Sequence, residues 1–111
     1  MSAPIEIHSA AELKLLLQQN NAVLLLFGAP HCGVCQSIKP RIGDMLRDEF
    51  NQMKWAYIDC QRHPAIAAAY HVFSLPVVEL YFYGQAFGRF AKVFSIRDVN
   101  EAIARPYQML D

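Results

Sequence analysis

The chain has 111 residues, 54% of them hydrophobic, and ten basic side chains offset ten acidic ones. A chain of this length buries roughly two-thirds of its unfolded surface, so it needs no disulfide staples or structural metal, and its charge balance gives no surface for nucleic acid. The longest apolar run, Ala22 to Phe27, is less than half the ~20 residues of a membrane span, and the N-terminus through His8 lacks the pattern of a secretory signal. The expectation is a single domain over residues 1–111, cytoplasmic, with neither membrane nor nucleic acid as partner.

In chain order, Ile5-Glu6-Ile7 alternates and reads as a short edge strand. Ser9-Ala10-Ala11-Glu12 has the form of a capping box, and Leu13, Leu16 and Leu17 then recur at helical spacing up to a polar stop at Gln18 to Asn21. Ala22 to Phe27 is apolar without alternation, which fits a central strand covered on both faces. A helix should begin near Cys32 or Gly33 and bury Ile38, Ile42, Met45, Leu46 and Phe50, with Pro40 kinking it. Lys54 to Asp59 reads as a second strand, and His63-Pro64 opens a short helix to Tyr70. Pro76 to Tyr83 is a third strand, turned at Gly84 into another near Ala86 to Phe94. Ser95 to Asp98 forms a second capping box before a helix carrying Val99, Ile103 and Ala104. This order predicts an α/β fold with a mixed sheet flanked by helices on both faces.

Three cysteines are too few for a secreted disulfide framework, and two of them stand as Cys32-Gly33-Val34-Cys35. Such a pair reads as redox chemistry or metal binding. Zinc wants four ligands, and neither a second such pair nor paired histidines accompany it. In the first turn of a helix the two side chains fall on one side, close enough to join. The first would meet unpaired amides and the positive end of the helix dipole, which favour a thiolate, the form that attacks disulfides. Gly33 and Val34 carry no charge, so tuning falls to the helix end, to burial and to His31, which when protonated would stabilise the thiolate.

Phe27 to His31, the Cys32–Cys35 pair, Pro40, Tyr57-Ile58-Asp59, Ser74-Leu75-Pro76-Val77 and the turn at Gly84 occur in an order and spacing that resemble the thioredoxin family. The resemblance runs over roughly residues 10 to 105. It implies a thioredoxin-like fold, a cis Leu75–Pro76 bond lying against the cysteines, and a Leu75 backbone able to take an extended substrate as an added strand. It also implies that Gly33, Val34, Leu75, Pro76 and Lys92 face the substrate, Lys92 standing where the family has glycine.

Departures accompany it. His31 replaces a flanking tryptophan, Val34 a proline and Gly28 another tryptophan. The family's buried aspartate and partner lysine fall at Leu26 and Trp55, lost together as burial of unpaired charge requires. Glu79 is the one charge in the apolar strand from Val77 to Phe82. A strand covered on both faces would bury it and make it a substitute proton acceptor, unless it escapes to solvent at a sheet margin or pairs with a nearby lysine or arginine. Cys60 reads first as a half-buried small hydrophobe, with a second disulfide, resolution of an oxidised partner or a place in a metal site as the alternatives. Tyr83, Phe87 and Phe90 near the hairpin would offer a surface for self-association if exposed.

The function expected is thiol–disulfide oxidoreduction, with Cys32 as nucleophile and Cys35 resolving the mixed disulfide. No bound cofactor or metal is required. The partners would be a protein carrying a disulfide or thiol and a reductase or other thiol donor. A binding or assembly module on the same fold, with little turnover, is the alternative.

Overall fold

The computed structural model describes residues 3–110. The strands are β1 (Ile5–Glu6), β2 (Ala22–Gly28), β3 (Lys54–Asp59), β4 (Val77–Phe82) and β5 (Gln85–Ala91). The helices are α1 (Ala10–Gln19), α2 (Gly33–Glu49), α3 (Pro64–Ala69) and α4 (Ile96–Gln108). The five strands make one mixed sheet in the order β1-β3-β2-β4-β5. β1, β3 and β2 run parallel, while β4 and β5 are antiparallel additions.

β2 occupies the middle of the sheet and is buried throughout, as its unbroken apolar run predicts. Because side chains alternate across a strand, its residues serve two cores. Leu24 and Leu26 join Ile38, Ile42 and Met45 of α2 and Val99 and Ile103 of α4 on one face. Val23, Leu25 and Phe27 join Leu13 and Leu17 of α1 and Ile66 and Ala67 of α3 on the other. Helices on both faces explain why neither face of β2 is polar.

The caps differ in detail. At α4 both halves of the capping box form: Ser95 Oγ accepts the Asp98 amide at 3.0 Å, and Asp98 Oδ2 accepts the Ser95 amide at 3.2 Å. At α1 the Ser9 hydroxyl accepts the Glu12 amide, but Glu12 takes the amide of His8 rather than that of Ser9. Pro40 lies inside α2 as expected. β5 ends at Ala91, short of Phe94, because Lys92 turns into the left-handed region at φ 64°. α4 runs past Ala104 and through Pro106 because Tyr107 docks on the end of α2. Its hydroxyl accepts the Gln52 amide at 3.0 Å, and its ring meets Phe50 edge-on. At the hairpin Tyr83 and Phe87 are exposed, while Phe90 is partly covered by Phe94. Among the described residues, no helix is long and apolar enough to cross a membrane.

Candidate active site

β2 delivers the chain to the cysteines through a turn closed by the Cys32 amide on the Ala29 carbonyl at 3.1 Å. Cys32 is the N-cap of α2, and its Sγ accepts the Cys35 amide at 3.2 Å. A sulfur here takes the role usually filled by a serine or aspartate oxygen, so the helix terminus stabilises negative charge on it. Cys32 is half-buried and Cys35 fully buried. Their Cα atoms are 5.2 Å apart and a disulfide joins them. Cys32 is thus the more exposed of the pair and Cys35 the covered one.

The cover is made by β2 and β3. A Cβ placed on Gly28 would lie 2.9 Å from Cys35 Cβ and 3.0 Å from the Tyr57 ring, so Gly28 is what lets Cys35 approach the sheet. Tyr57 is held there from α2. Lys39 Nζ sits 3.8 Å over its ring, and Gln36 Nε2 donates to the Ala29 carbonyl at 3.0 Å and to the Tyr57 hydroxyl at 3.5 Å. Burial pushes the Tyr57 phenol up, with the Gln36 hydrogen bond pulling part of the way back. The sequence singled out Tyr57 only as part of the resemblance, with no role at the site, and did not single out Gln36. The usable signal was Gly28, since glycine in a strand marks a close approach. Leu26 and Trp55 both lie in the apolar core on this face, so the region that holds acid and lysine in the family is hydrophobic here.

The strand register brings the remaining rim together. Phe27 pairs with Val77, which sets Pro76 level with Gly28. The Leu75–Pro76 bond is cis, as the resemblance implies, and the Pro76 carbonyl accepts the Lys92 amide at 3.0 Å. The left-handed backbone at Lys92 accounts for the family's glycine there, because an L side chain adopts that conformation at a cost. Gly33 faces open space, and Val34 is 58% exposed. His31 is exposed, its Nδ1 lying 3.2 Å from Gln61 Oε1 in the turn after β3. Beside this rim Cys60, Pro64, Ala67, Val72, Phe73 and Leu75 line an apolar groove of about 340 Å³. Burial, with Asp59 behind it, pushes the Cys60 thiol up to about 11.

Glu79 does not join the site. It is buried, as its sequence context predicts, but it lies across the sheet from Cys35. Its neighbours Val78 and Leu80 face the α2 core, so alternation turns Glu79 toward α3. There it accepts Tyr81 Oη–H at 2.7 Å and Arg89 Nε–H at 3.0 Å. Of the expectations for Glu79 the pairing with an arginine is the one seen, and the sheet stands between this ion pair and Cys35.

The thioredoxin family model matches residues 4–105. The thioredoxin-like protein YdfQ of Bacillus subtilis is 24% identical over 105 residues, covering 95% of this chain and 93% of that protein. The bifunctional thioredoxin reductase/thioredoxin of Mycobacterium leprae is 28% identical over 103 residues, covering 89% of this chain but 22% of that protein. The N21Q mutant thioredoxin from Halobacterium salinarum superposes with a TM-score of 0.86 at 24% identity, over 99% of this chain and 96% of that one. Fold and a cysteine pair at disulfide distance together support thiol–disulfide oxidoreductase chemistry, and the chain belongs to the thioredoxin family.

Proposed function

We infer that the protein exchanges disulfides with protein partners through the Cys32–Cys35 couple. The observation that carries this is the asymmetry of the pair: Cys32 is half-buried at a helix N-terminus with a hydrogen bond to its sulfur, and Cys35 is fully buried. In the reduced form the Cys32 thiolate attacks a partner disulfide, forms a mixed disulfide and expels one partner thiolate. Cys35, as thiolate, then attacks the Cys32 sulfur, closes the intramolecular disulfide and releases the second partner thiolate. Two electrons pass to the partner, and a reductase or other thiol donor restores the dithiol. The reductase fused to a thioredoxin in the Mycobacterium leprae relative supports a donor of that kind. His31 adds a cation beside the thiolate when protonated. Leu75 offers its backbone to an extended segment, with Pro76, Gly33, Val34 and Lys92 around it. Residues 1–111 act as one domain, and a cytoplasmic location suits the unpaired Cys60.

The test is the equilibrium of a Cys60→Ser protein against glutathione buffers, followed by trapping with Cys35→Ser. The expected result is a reversible Cys32–Cys35 disulfide and accumulation of a mixed disulfide on Cys32. A potential near ~−270 mV marks a reductase, and a distinctly higher one marks an oxidant or isomerase. If no disulfide forms in any buffer, the chain is a binding module.

A further inference from the structure

Glu79 and Arg89 are direct partners across the antiparallel β4–β5 pair. On an unbroken hairpin they would not be. The turn pairs Phe82 with Gln85 and Tyr81 with Ala86, but an irregularity between Leu80 and Tyr81 shifts the ladder, and Leu80 then faces Gly88. Phe87 is the extra residue, a bulge that brings Arg89 rather than Gly88 opposite Glu79. The guanidinium then does more than neutralise a buried carboxylate. Nε–H donates to Glu79 Oε2 at 3.0 Å, Nη1–H to the His71 carbonyl at 3.0 Å, and Nη2–H to the Tyr70 carbonyl.

Those two carbonyls end α3. With six residues, α3 is too short to hold itself, and it closes with His71 in the left-handed region at φ 58°. The His71 amide bonds the Ala68 carbonyl at 3.1 Å and the Val72 amide bonds the Ala67 carbonyl at 2.8 Å, a Schellman arrangement. The Tyr70 carbonyl belongs to the last turn, at the negative end of the helix dipole, and the His71 carbonyl follows it, so Arg89 supplies a cation to both from a different element. Just beyond lies the segment from Val72 to Leu75, which borders the groove beside the cysteines. Its far end is also tied to the end of β5, where Lys92 donates to Pro76. The loop is thus pinned at both ends by one strand.

We propose that Glu79 and Arg89 are positioning residues that clamp the end of α3 to β5 and so hold the Phe73–Leu75 loop in place to dock a protein disulfide at Cys32. The proposal rests on the oxidoreductase reading given above. Glu79 sets the orientation of Arg89, and Tyr81 sets Glu79. A lysine cannot substitute, because a single ammonium does not span three acceptors in one plane.

The test compares Arg89→Met with the parent protein on two substrates, the disulfides of insulin and the small aromatic disulfide 5,5′-dithiobis(2-nitrobenzoate). The expected result is a KM for insulin raised about tenfold, the size of one lost charge-assisted hydrogen bond, with kcat, the small-disulfide rate and the glutathione equilibrium unchanged. Amide hydrogen exchange at His71 and Val72 should quicken by about the same factor, and Arg89→Lys should not restore it. Equal losses on both substrates, or an unchanged insulin KM with protected amides, overturns the clamp. Should Arg89→Met not fold, Glu79→Gln carries the same comparison, since it keeps the shape and removes the charge. If the parent protein forms no Cys32–Cys35 disulfide in any glutathione buffer and reduces neither substrate, the oxidoreductase reading fails, and the exchange measurement still decides whether Arg89 holds the loop.

Discussion

Gly28 bears the tightest packing of the site, because Cys35 and Tyr57 both press on the space a side chain would fill. Its backbone has little room to retreat, since its carbonyl accepts the Cys60 amide at 2.8 Å. Gly28→Ala should therefore destabilise the oxidised protein by about 1–3 kcal/mol, the range for overpacking a filled core. Urea unfolding measures this, and an unchanged midpoint would mean that Cys35 shifts freely. The cysteines and Pro76 were legible in the sequence because each belongs to a local pattern with its own chemistry. Glu79 was half legible: a lone charge in an apolar strand implied burial, but the face it takes depends on register with β2. Arg89 was not legible at all. Its role needs the bulge at Phe87, which depends on strand pairing rather than on any neighbouring residue.

The hairpin shows the same division at the scale of elements. Tyr83 and Gly84 both have positive φ, 54° and 77°, the two-residue turn whose twist matches paired strands. The glycine announced that turn, whereas the bulge, hinted at only by Gly88 within the strand, and the end of β5 at Lys92 are set by strand pairing. α4 carries Pro106 within it, where proline ordinarily closes a helix, and the docking of Tyr107 on the end of α2 outweighs that here. The end of α3 offers an element-scale prediction. His71 occupies the left-handed closing position that favours glycine. The clamp uses only its carbonyl, so His71→Gly keeps every hydrogen bond described there. The substitution should raise stability by up to about 1 kcal/mol, the relieved backbone cost less the extra chain entropy of glycine. A thermal melt that drops would show that the His71 ring, 6.5 Å from that of Phe73, contributes more than its backbone costs.

Across the whole molecule, two apolar cores meet at β2 and leave several weak acids half-buried or buried at their margins. Cys60, Tyr57, Tyr70 and Tyr81 are all pushed up, in each case chiefly by burial. The Cys60 thiol rises from 9.0 to about 11, while the tyrosines rise from 10.0. In every case the folded chain keeps a proton that the unfolded chain releases at lower pH. Where the unfolded state binds fewer protons, stability falls as pH rises. The contribution of Cys60 is therefore fully present below pH 9 and is lost as pH rises through about 11, with the tyrosines adding to the slope from pH 10 upward. Urea midpoints of the oxidised protein should accordingly begin to fall near pH 9. Cys60→Ser should move that onset to about pH 10, where only the tyrosines remain to titrate. A midpoint that stays level from pH 9 to 11 would show that water reaches these groups in the folded state. An onset unmoved by Cys60→Ser would assign the early slope to a group other than the thiol beside the groove.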